Sequence, residues 1–250
     1  MKVLITGSAG FIGYHLTKKL LQIGHEIIGV DSFTNYYDIK LKKDRLNNIQ
    51  EDNFSFYNID ISDKDKIITL FKKINPEYVI NLAAQAGVRY SIENPYEYLS
   101  SNILGFLNIL EGCKICNVKN LLYASSSSVY GSNETFPFKE TDDVTKPLSF
   151  YAATKLSNEA MAYSYSNIFK LNTTGLRFFT VYGPWGRPDM AYYIFTKKIF
   201  AGESIKVFGR GQMLRDFTYI DDIIDGIISL ISYYDQNNKY IIISINRSIN

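Results

Sequence analysis

Short β-branched runs alternate with longer amphipathic stretches from the first residue onward. The runs Lys2 to Thr6, Glu26 to Val30, Phe54 to Asn58, Tyr78 to Asn81, Leu121 to Ala124 and Thr173 to Phe178 read as strands. Between them, apolar positions at helical spacing predict helices near Phe11 to Ile23, Lys64 to Ile74, Tyr96 to Cys116 and Phe150 to Phe169. Strands that alternate with helices of this length predict βαβ units, hence an α/β fold with a doubly wound parallel sheet. After about residue 180 the pattern gives way to Gly- and Pro-rich loops, with a helix near Tyr192 to Phe200, short strands and a further helix from Asp221. The expectation is a main domain over 1–180 and a smaller lobe over 181–250, some elements of which return to the main domain. There is no internal repeat or low-complexity tract.

Charge and composition narrow the function. Across 250 residues, 27 Lys+Arg stand against 25 Asp+Glu, a net charge of +2, which removes the electrostatic case for a nucleic-acid binder. Aromatics reach 15%, but the Tyr, Phe, Ile, Asn and Lys excess fits an AT-rich coding bias and is not read as stacking platforms. Cys113 and Cys116 form a C-x-x-C within a predicted helix; with no second pair and no nearby His they read as reduced small hydrophobes, not as a metal or redox site. Val3-Leu4-Ile5 is too short for a signal-peptide core, and no apolar stretch approaches the roughly 18 residues of a membrane span. The expectation is a cytoplasmic protein with no membrane partner.

The first strand runs into Gly7-Ser-Ala-Gly10-Phe-Ile-Gly13 and then a helix. Such a turn lets backbone N–H groups and a helix N-terminus approach a pyrophosphate without obstruction from Cβ atoms. The spacing is G-x-x-G-x-x-G, and three glycines alone would suit any tight turn; their place after the first strand gives them weight. Asp31 closes the second strand, where a carboxylate can accept hydrogen bonds from a ribose diol. Ser32 and Phe33 follow, with no Lys or Arg beside them for a 2′-phosphate, so NAD is expected over NADP. Asp60-Ile61, after the third strand, suits an adenine edge or, equally, a helix cap before Ser62.

Tyr151-Ala-Ala-Thr-Lys155 places a phenol and an ammonium on one helix face. The spacing recurs at Tyr14/Lys18, Tyr36/Lys40 and Tyr193/Lys197, but only Tyr151/Lys155 follows the fifth parallel strand and a hydroxyl cluster, Ser125 to Ser128. Open α/β sheets bind ligands at those strand ends. A phenol that titrates at about 10 needs roughly 4 kcal/mol of differential stabilisation to act as a base near neutrality. One cation at about 4 Å in an effective dielectric near 20 supplies about that much, so Lys155 is expected to ionise Tyr151. Ser126 would hydrogen-bond the reacting hydroxyl and the phenolate, with Ser127 and Ser128 further along the substrate; a plain strand-to-loop hydrogen-bonding ladder is the bland alternative. No acidic residue occupies the serine run, which argues against dehydration or decarboxylation.

Together with Leu82-AAQAGVRYS-Ile92-ENP, Gly105-FLNILEGC, the run from Gly175 to Met190 and RDFTYIDD ending at Asp222, these motifs cover nearly the whole chain. The chain resembles the extended short-chain dehydrogenase/reductase family and, within it, the bacterial UDP-glucuronate 4-epimerases. The resemblance implies a Rossmann-like main domain and tightly held NAD, contacted by Phe11, Ile12, Asp31, Ser32, Phe33, Asn35, Tyr36, Asp60, Ile61, Leu82, Ala83, Ala84, Gln85, Asn102, Tyr151, Lys155, Phe178 and Phe179. It implies a UDP-sugar substrate touched by Arg89, Ser126, Ser127, Ser128, Tyr151, Thr180, Arg187 and Arg215. Arg187 would face the sugar carboxylate, or else pair with Asp189; Arg215 and Arg89 would approach the diphosphate, or form structural ion pairs. A homodimer through the helices near Tyr96 to Cys116 and Phe150 to Phe169 is implied as well. Asn81 stands where relatives often have His. The family continues beyond Ile241 to Asn250 through further helices, so an incomplete substrate lobe is expected. His15 and His25 carry no expected chemistry.

Overall fold

The computed structural model describes residues 1–207, 209–212, 215–231 and 240–245. Seven parallel strands form the main sheet: β1 (Lys2–Thr6), β2 (Glu26–Asp31), β3 (Phe54–Asn58), β4 (Tyr78–Asn81), β5 (Asn120–Ser126), β6 (Thr173–Phe178) and, returning from the end of the chain, Tyr240–Ile245. Two short strands between them in sequence, β7 (Thr180–Tyr182) and β8 (Phe217–Tyr219), pair with each other outside that sheet, which makes the returning strand β9. The order across the main sheet is β3-β2-β1-β4-β5-β6-β9. It reverses direction between β1 and β4, which opens a crevice at the carboxyl ends of those strands, as in Rossmann-type folds.

Each strand splits its side chains between two cores, which is why the strands read as continuous apolar runs. On β1, Val3 and Ile5 join one core with Leu16 and Leu20 of α1 (Phe11–Gln22), while Leu4 points into the other. A charged helix, α2 (Ile39–Asn47), follows β2 and is capped by the Asp38 carboxylate on the Lys40 amide. The sequence pattern misses it because its buried positions are Lys42 and Arg45, not apolar residues. In the second core, Ile67, Leu70 and Phe71 of α3 (Lys64–Ile74) meet β4 and β5.

The helix expected near Tyr96 to Cys116 is broken into pieces. After α4 (Tyr90–Glu93), α5 (Pro95–Tyr98) passes through one π-helical segment at Leu99–Leu104 into α6 (Gly105–Ile115). Such π turns insert an extra residue into the ladder and re-aim side chains; here Asn102 is turned inward and buried. The long helix α7 (Phe150–Phe169) opens on a Ser149 cap, its hydroxyl accepting from the Ala152 amide, and carries Tyr151 and Lys155 in its first turns. Beyond β7, α8 (Ala191–Phe200) buries none of its residues, whereas α9 (Ile220–Ile231) packs Ile220, Ile223, Ile224, Ile227 and Ile231 into the same core as α1. Residues from both sides of position 180 therefore build one core. Cys113 is fully buried and Cys116 partly so, both free thiols, and no metal-binding cluster exists among the described residues.

Candidate active site

A cleft of about 750 Å³ runs along the crevice from the glycine turn to α8. It is within the size range of a pocket for an extended ligand. At one end the glycine turn fits a dinucleotide on steric grounds. Gly7 has φ of +70°, and a Cβ there would lie 2.8 Å from the Ala83 amide nitrogen; a Cβ on Gly13 would collide with the Gly7 carbonyl. Gly10 caps α1 without any side chain across its N-terminus, and the first turn holds no acidic residue. The free backbone donors of that turn are suited to a pyrophosphate.

Asp31 lies at the end of β2, buried, its Oδ1 accepting from the Phe33 amide at 3.0 Å and from Lys42 Nζ at 3.0 Å. Lys42 is the cation that the sequence reading left out. It reaches the cleft from α2, eleven residues away, and is committed to Asp31. Phe11, Ile12, Asp31, Ser32, Tyr36, Asp60, Ile61, Leu82, Ala83, Ala84, Gln85, Phe178 and Phe179 all line the cleft, as does Thr180. Phe33 and Asn35 do not. Phe33 takes a left-handed backbone and packs its ring 5.5 Å from that of Phe56, which carries it off the crevice. Asn102 sits behind the wall: its Oδ1 accepts from the Gln85 amide, and its Nδ2 donates to the Gln85 carbonyl and the Thr154 hydroxyl. It therefore orders the loop that lines the cleft and ties it to α7. Asp60 both lines the cleft and accepts from the Ser62 amide and hydroxyl at 2.8 Å each, so the turn-forming role exists alongside the exposed edge.

At the chemical end, Ser125 to Ser128, Tyr151, Lys155 and Arg187 share the cleft. Ser126 Oγ accepts from the Ser128 amide at 3.1 Å and meets the Ser128 hydroxyl at 3.1 Å. Ser125 is turned away, donating to the Glu159 carboxylate, which also takes a bidentate pair from Arg177. The lysine geometry differs from the expectation. Lys155 Nζ lies 6.0 Å from the centroid of the Tyr151 ring and donates to the Ala124 carbonyl at 2.8 Å. Burial pushes the Tyr151 phenol up from its ordinary value; a hydrogen bond with Ser126 and the Arg187 charge pull it the other way, and Lys155 contributes nothing resolved. The help to a phenolate therefore comes from the Ser126 hydroxyl and from an arginine on another loop. A strand carbonyl holds the lysine because Nζ, buried, must satisfy its donors.

Burial also pushes Lys155 down, to about 8. In the unfolded chain the same amine keeps its proton to about 10.4. Between about pH 8 and 9, then, the unfolded state binds more protons, and stability rises with pH through that window. Above about 9 the buried Cys113 thiol, whose ionisation folding suppresses, works in the opposite direction. A Lys155→Met variant without cofactor is expected to lack the rise between pH 8 and 9, read as the difference in Tm against pH from the parent chain. Identical profiles would show that Lys155 is not held in this environment.

Arg187 is not free. Its Nε donates to Asp189 Oδ1 at 3.0 Å and its Nη2 to Oδ2 at 2.5 Å, and Tyr36 donates to the same Oδ2 at 2.9 Å. Burial works against ionisation of Asp189, but the Arg187 charge and these hydrogen bonds hold its carboxyl below the ordinary carboxylate range. Arg89, Lys198, Lys206 and Arg215 line the cleft as well. What this arrangement can do is deprotonate a hydroxyl at Tyr151, in a cleft whose glycine turn is suited to a dinucleotide.

The model for the NAD dependent epimerase/dehydratase family matches residues 3–245. A Staphylococcus aureus relative, Protein CapI, is 56% identical over 239 residues, covering 96% of this chain and 72% of that protein. The Arabidopsis thaliana UDP-glucuronate 4-epimerase 4 is 49% identical over 239 residues, 94% of this chain and 55% of that protein. Among solved structures, the Bacillus cereus UDP-glucuronic acid 4-epimerase in complex with UDP-glucuronic acid and NAD superposes with a TM-score of 0.91 at 35% identity, over 98% of this chain and 77% of that one. The Thermotoga maritima UDP-glucose 4-epimerase with UDP-glucose does so with a TM-score of 0.88 at 32% identity, over the same shares. The chain belongs to the NAD dependent epimerase/dehydratase family, in its branch of NAD-dependent UDP-sugar 4-epimerases, which are isomerases.

Proposed function

We propose that this chain interconverts UDP-glucuronate and UDP-galacturonate. The observation that carries the reading is the meeting of Tyr151, the hydroxyls of Ser126 to Ser128 and the guanidinium of Arg187 in one cleft. NAD, held by the turn from Gly7 to Gly13 and by Asp31, supplies a hydride acceptor that returns what it takes, so the reaction has no net redox change. Tyr151 as phenolate takes the proton of the C4 hydroxyl while Ser126 hydrogen-bonds the same oxygen, and a 4-keto sugar forms. The sugar then turns over in the cleft, and Tyr151 gives its proton back after the opposite face has been reduced. A 4-keto uronic acid is a β-keto acid that can lose CO2. Arg187, with Ser127 and Ser128, grips the C6 carboxylate and keeps its bond to the ring from swinging perpendicular to the ketone. A guanidinium fork suits that planar group better than an ammonium.

One observation favours a second reading. Asp189 already occupies the Nε–Nη2 edge of Arg187, so a neutral UDP-hexose would enter without disturbing that pair. A uronate must share the guanidinium through Nη1 or displace Asp189. The test is to incubate the purified chain, supplied with NAD, separately with UDP-glucuronate and with UDP-glucose, and to resolve the C4 epimers by chromatography. UDP-galacturonate is the expected product. Conversion of UDP-glucose with the uronate untouched would establish the hexose reading, and NAD binding without any conversion would make the chain a binding module.

Two further parts of the reading concern assembly and place. Half-exposed Leu104, Leu107 and Ile115 on and beside α6, with Tyr163 on α7, give these helices an apolar outer face, which supports a homodimer built on them. No described helix is long and apolar enough to cross a membrane. We place the enzyme in the cytoplasm, where UDP-sugars for capsule or lipopolysaccharide synthesis are made, with cofactor bound mainly by 1–180 and substrate mainly by 181–250.

A further inference from the structure

We propose that Arg45 is the positioning residue for Arg187, fixing the loop that carries the carboxylate-gripping guanidinium against the turn that holds the dinucleotide. Arg45 lies on α2, outside the cleft lining, and is fully buried. Its Nη1 donates to the Ala9 carbonyl at 3.0 Å and to the Tyr37 hydroxyl at 2.9 Å. Its Nη2 donates to the Trp185 carbonyl at 2.6 Å and, more weakly, to the Gly186 carbonyl at 3.4 Å. Ala9 belongs to the glycine turn, and Trp185 and Gly186 are the two residues before Arg187. One guanidinium therefore spans the two binding elements that must meet on a single substrate.

The loop needs such a hold. Trp185 has φ of +60°, a left-handed conformation that bulky side chains adopt only when their surroundings impose it. His15 Nε2 donates to the Pro184 carbonyl at 2.9 Å, and the Tyr14 ring meets the Trp185 indole edge-on at 5.9 Å. Three successive carbonyls, at 184, 185 and 186, are thus held from α1 and α2. Arginine is required because its planar fork presents separate donors in two fixed directions; a lysine ammonium in the same place could reach one carbonyl group or the other.

This inference rests on the uronate reading for its substrate test, so a second readout is independent of it. Trp185 is the only tryptophan in the chain, and its fluorescence reports this loop directly. In Arg45→Lys, and in Arg45→Met, we expect KM for UDP-glucuronate to rise about tenfold or more with UDP-glucose kinetics little changed, since misplacing a gripping group by about an ångström is enough for that. We expect bound NAD to be retained, and Trp185 emission to shift to the red and become more open to acrylamide quenching. Variants that fold, as judged by circular dichroism, yet keep the parent's Trp185 emission and its uronate-to-hexose ratio would overturn the proposal. So would equal losses on both sugars together with lost NAD, or failure of both variants to fold, since each makes Arg45 a general support of the structure. If the parent chain converts UDP-glucose alone, the uronate reading fails, and the Trp185 emission still decides whether Arg45 holds the loop.

Discussion

Replacing Tyr151 with Phe is expected to lower kcat by about a thousandfold while leaving NAD bound. The magnitude follows from removing the one positioned proton acceptor, a contribution of about 10²–10⁴ in rate. The loss is expected well inside that range because the phenol is buried and no carboxylate in the serine run can take over. Retention of NAD follows from where the hydroxyl sits. In the proposed reading the glycine turn and Asp31 would hold the other end of the cofactor, apart from Tyr151 along the cleft. The geometry also says what must ionise the phenol. Burial opposes it, Ser126 and Arg187 favour it, and Lys155 donates a hydrogen bond to the Ala124 carbonyl. The positive nicotinamide of bound NAD supplies a further favourable charge, so the holoprotein should ionise Tyr151 at lower pH than the cofactor-free chain. Equilibrium NAD content and single-turnover rates of both forms check the expectation, and normal turnover in Tyr151→Phe would remove the phenolate from the mechanism.

Arg187→Ala is expected to reduce kcat/KM for UDP-glucuronate by about a hundredfold, roughly 3 kcal/mol, with a much smaller change for UDP-glucose. A charge-assisted hydrogen bond to a carboxylate accounts for about 1.5–3 kcal/mol. A second effect adds to it. In the parent, Asp189 is neutralised by two hydrogen bonds from Arg187; in the variant it keeps the Tyr36 hydroxyl and a backbone amide but no cation partner from Arg187, and turns a negative charge toward an incoming uronate. A neutral hexose feels neither loss. Arg187→Lys should restore the charge and recover only part of the discrimination, because the fork that serves Asp189 and the substrate at once is gone. Steady-state kinetics on both sugars measure this, and equal losses on the two would dispose of the carboxylate grip.

Most of the elements that were legible along the chain bury apolar side chains, although α7, found over the expected residues, buries Thr154, Lys155, Asn158 and Glu159. The runs at Lys2 to Thr6 and Thr173 to Phe178 became strands with those bounds, and Lys64 to Ile74 a helix with those bounds, because side chains such as Leu4, Ile67 and Phe71 have one favourable destination. The elements that escaped notice do not follow that rule. α2 buries Lys42 and Arg45, whose cost is offset by partners 11, 36 and 140 residues away along the chain, at Asp31, Ala9 and Trp185. The expected single helix after Tyr96 hides a π-helical segment because its irregularity serves Asn102, whose partners lie on the Gln85 loop and α7.

By itself, then, the sequence determined the parallel sheet, the glycine turn at its first crossover and the placing of Tyr151 after the fifth strand, where it lines the cleft, since each depends on local periodicity, backbone sterics or position after a strand. Only the tertiary structure decided that Lys155 is bonded to a strand carbonyl, which carboxylate already holds Arg187, and how a helix with no apolar stripe ties the two ends of the cleft together. Charges act through space on whatever the fold brings near, so a lysine one turn along the helix can bond a strand carbonyl while an arginine from a distant loop adds its charge to the phenol's surroundings.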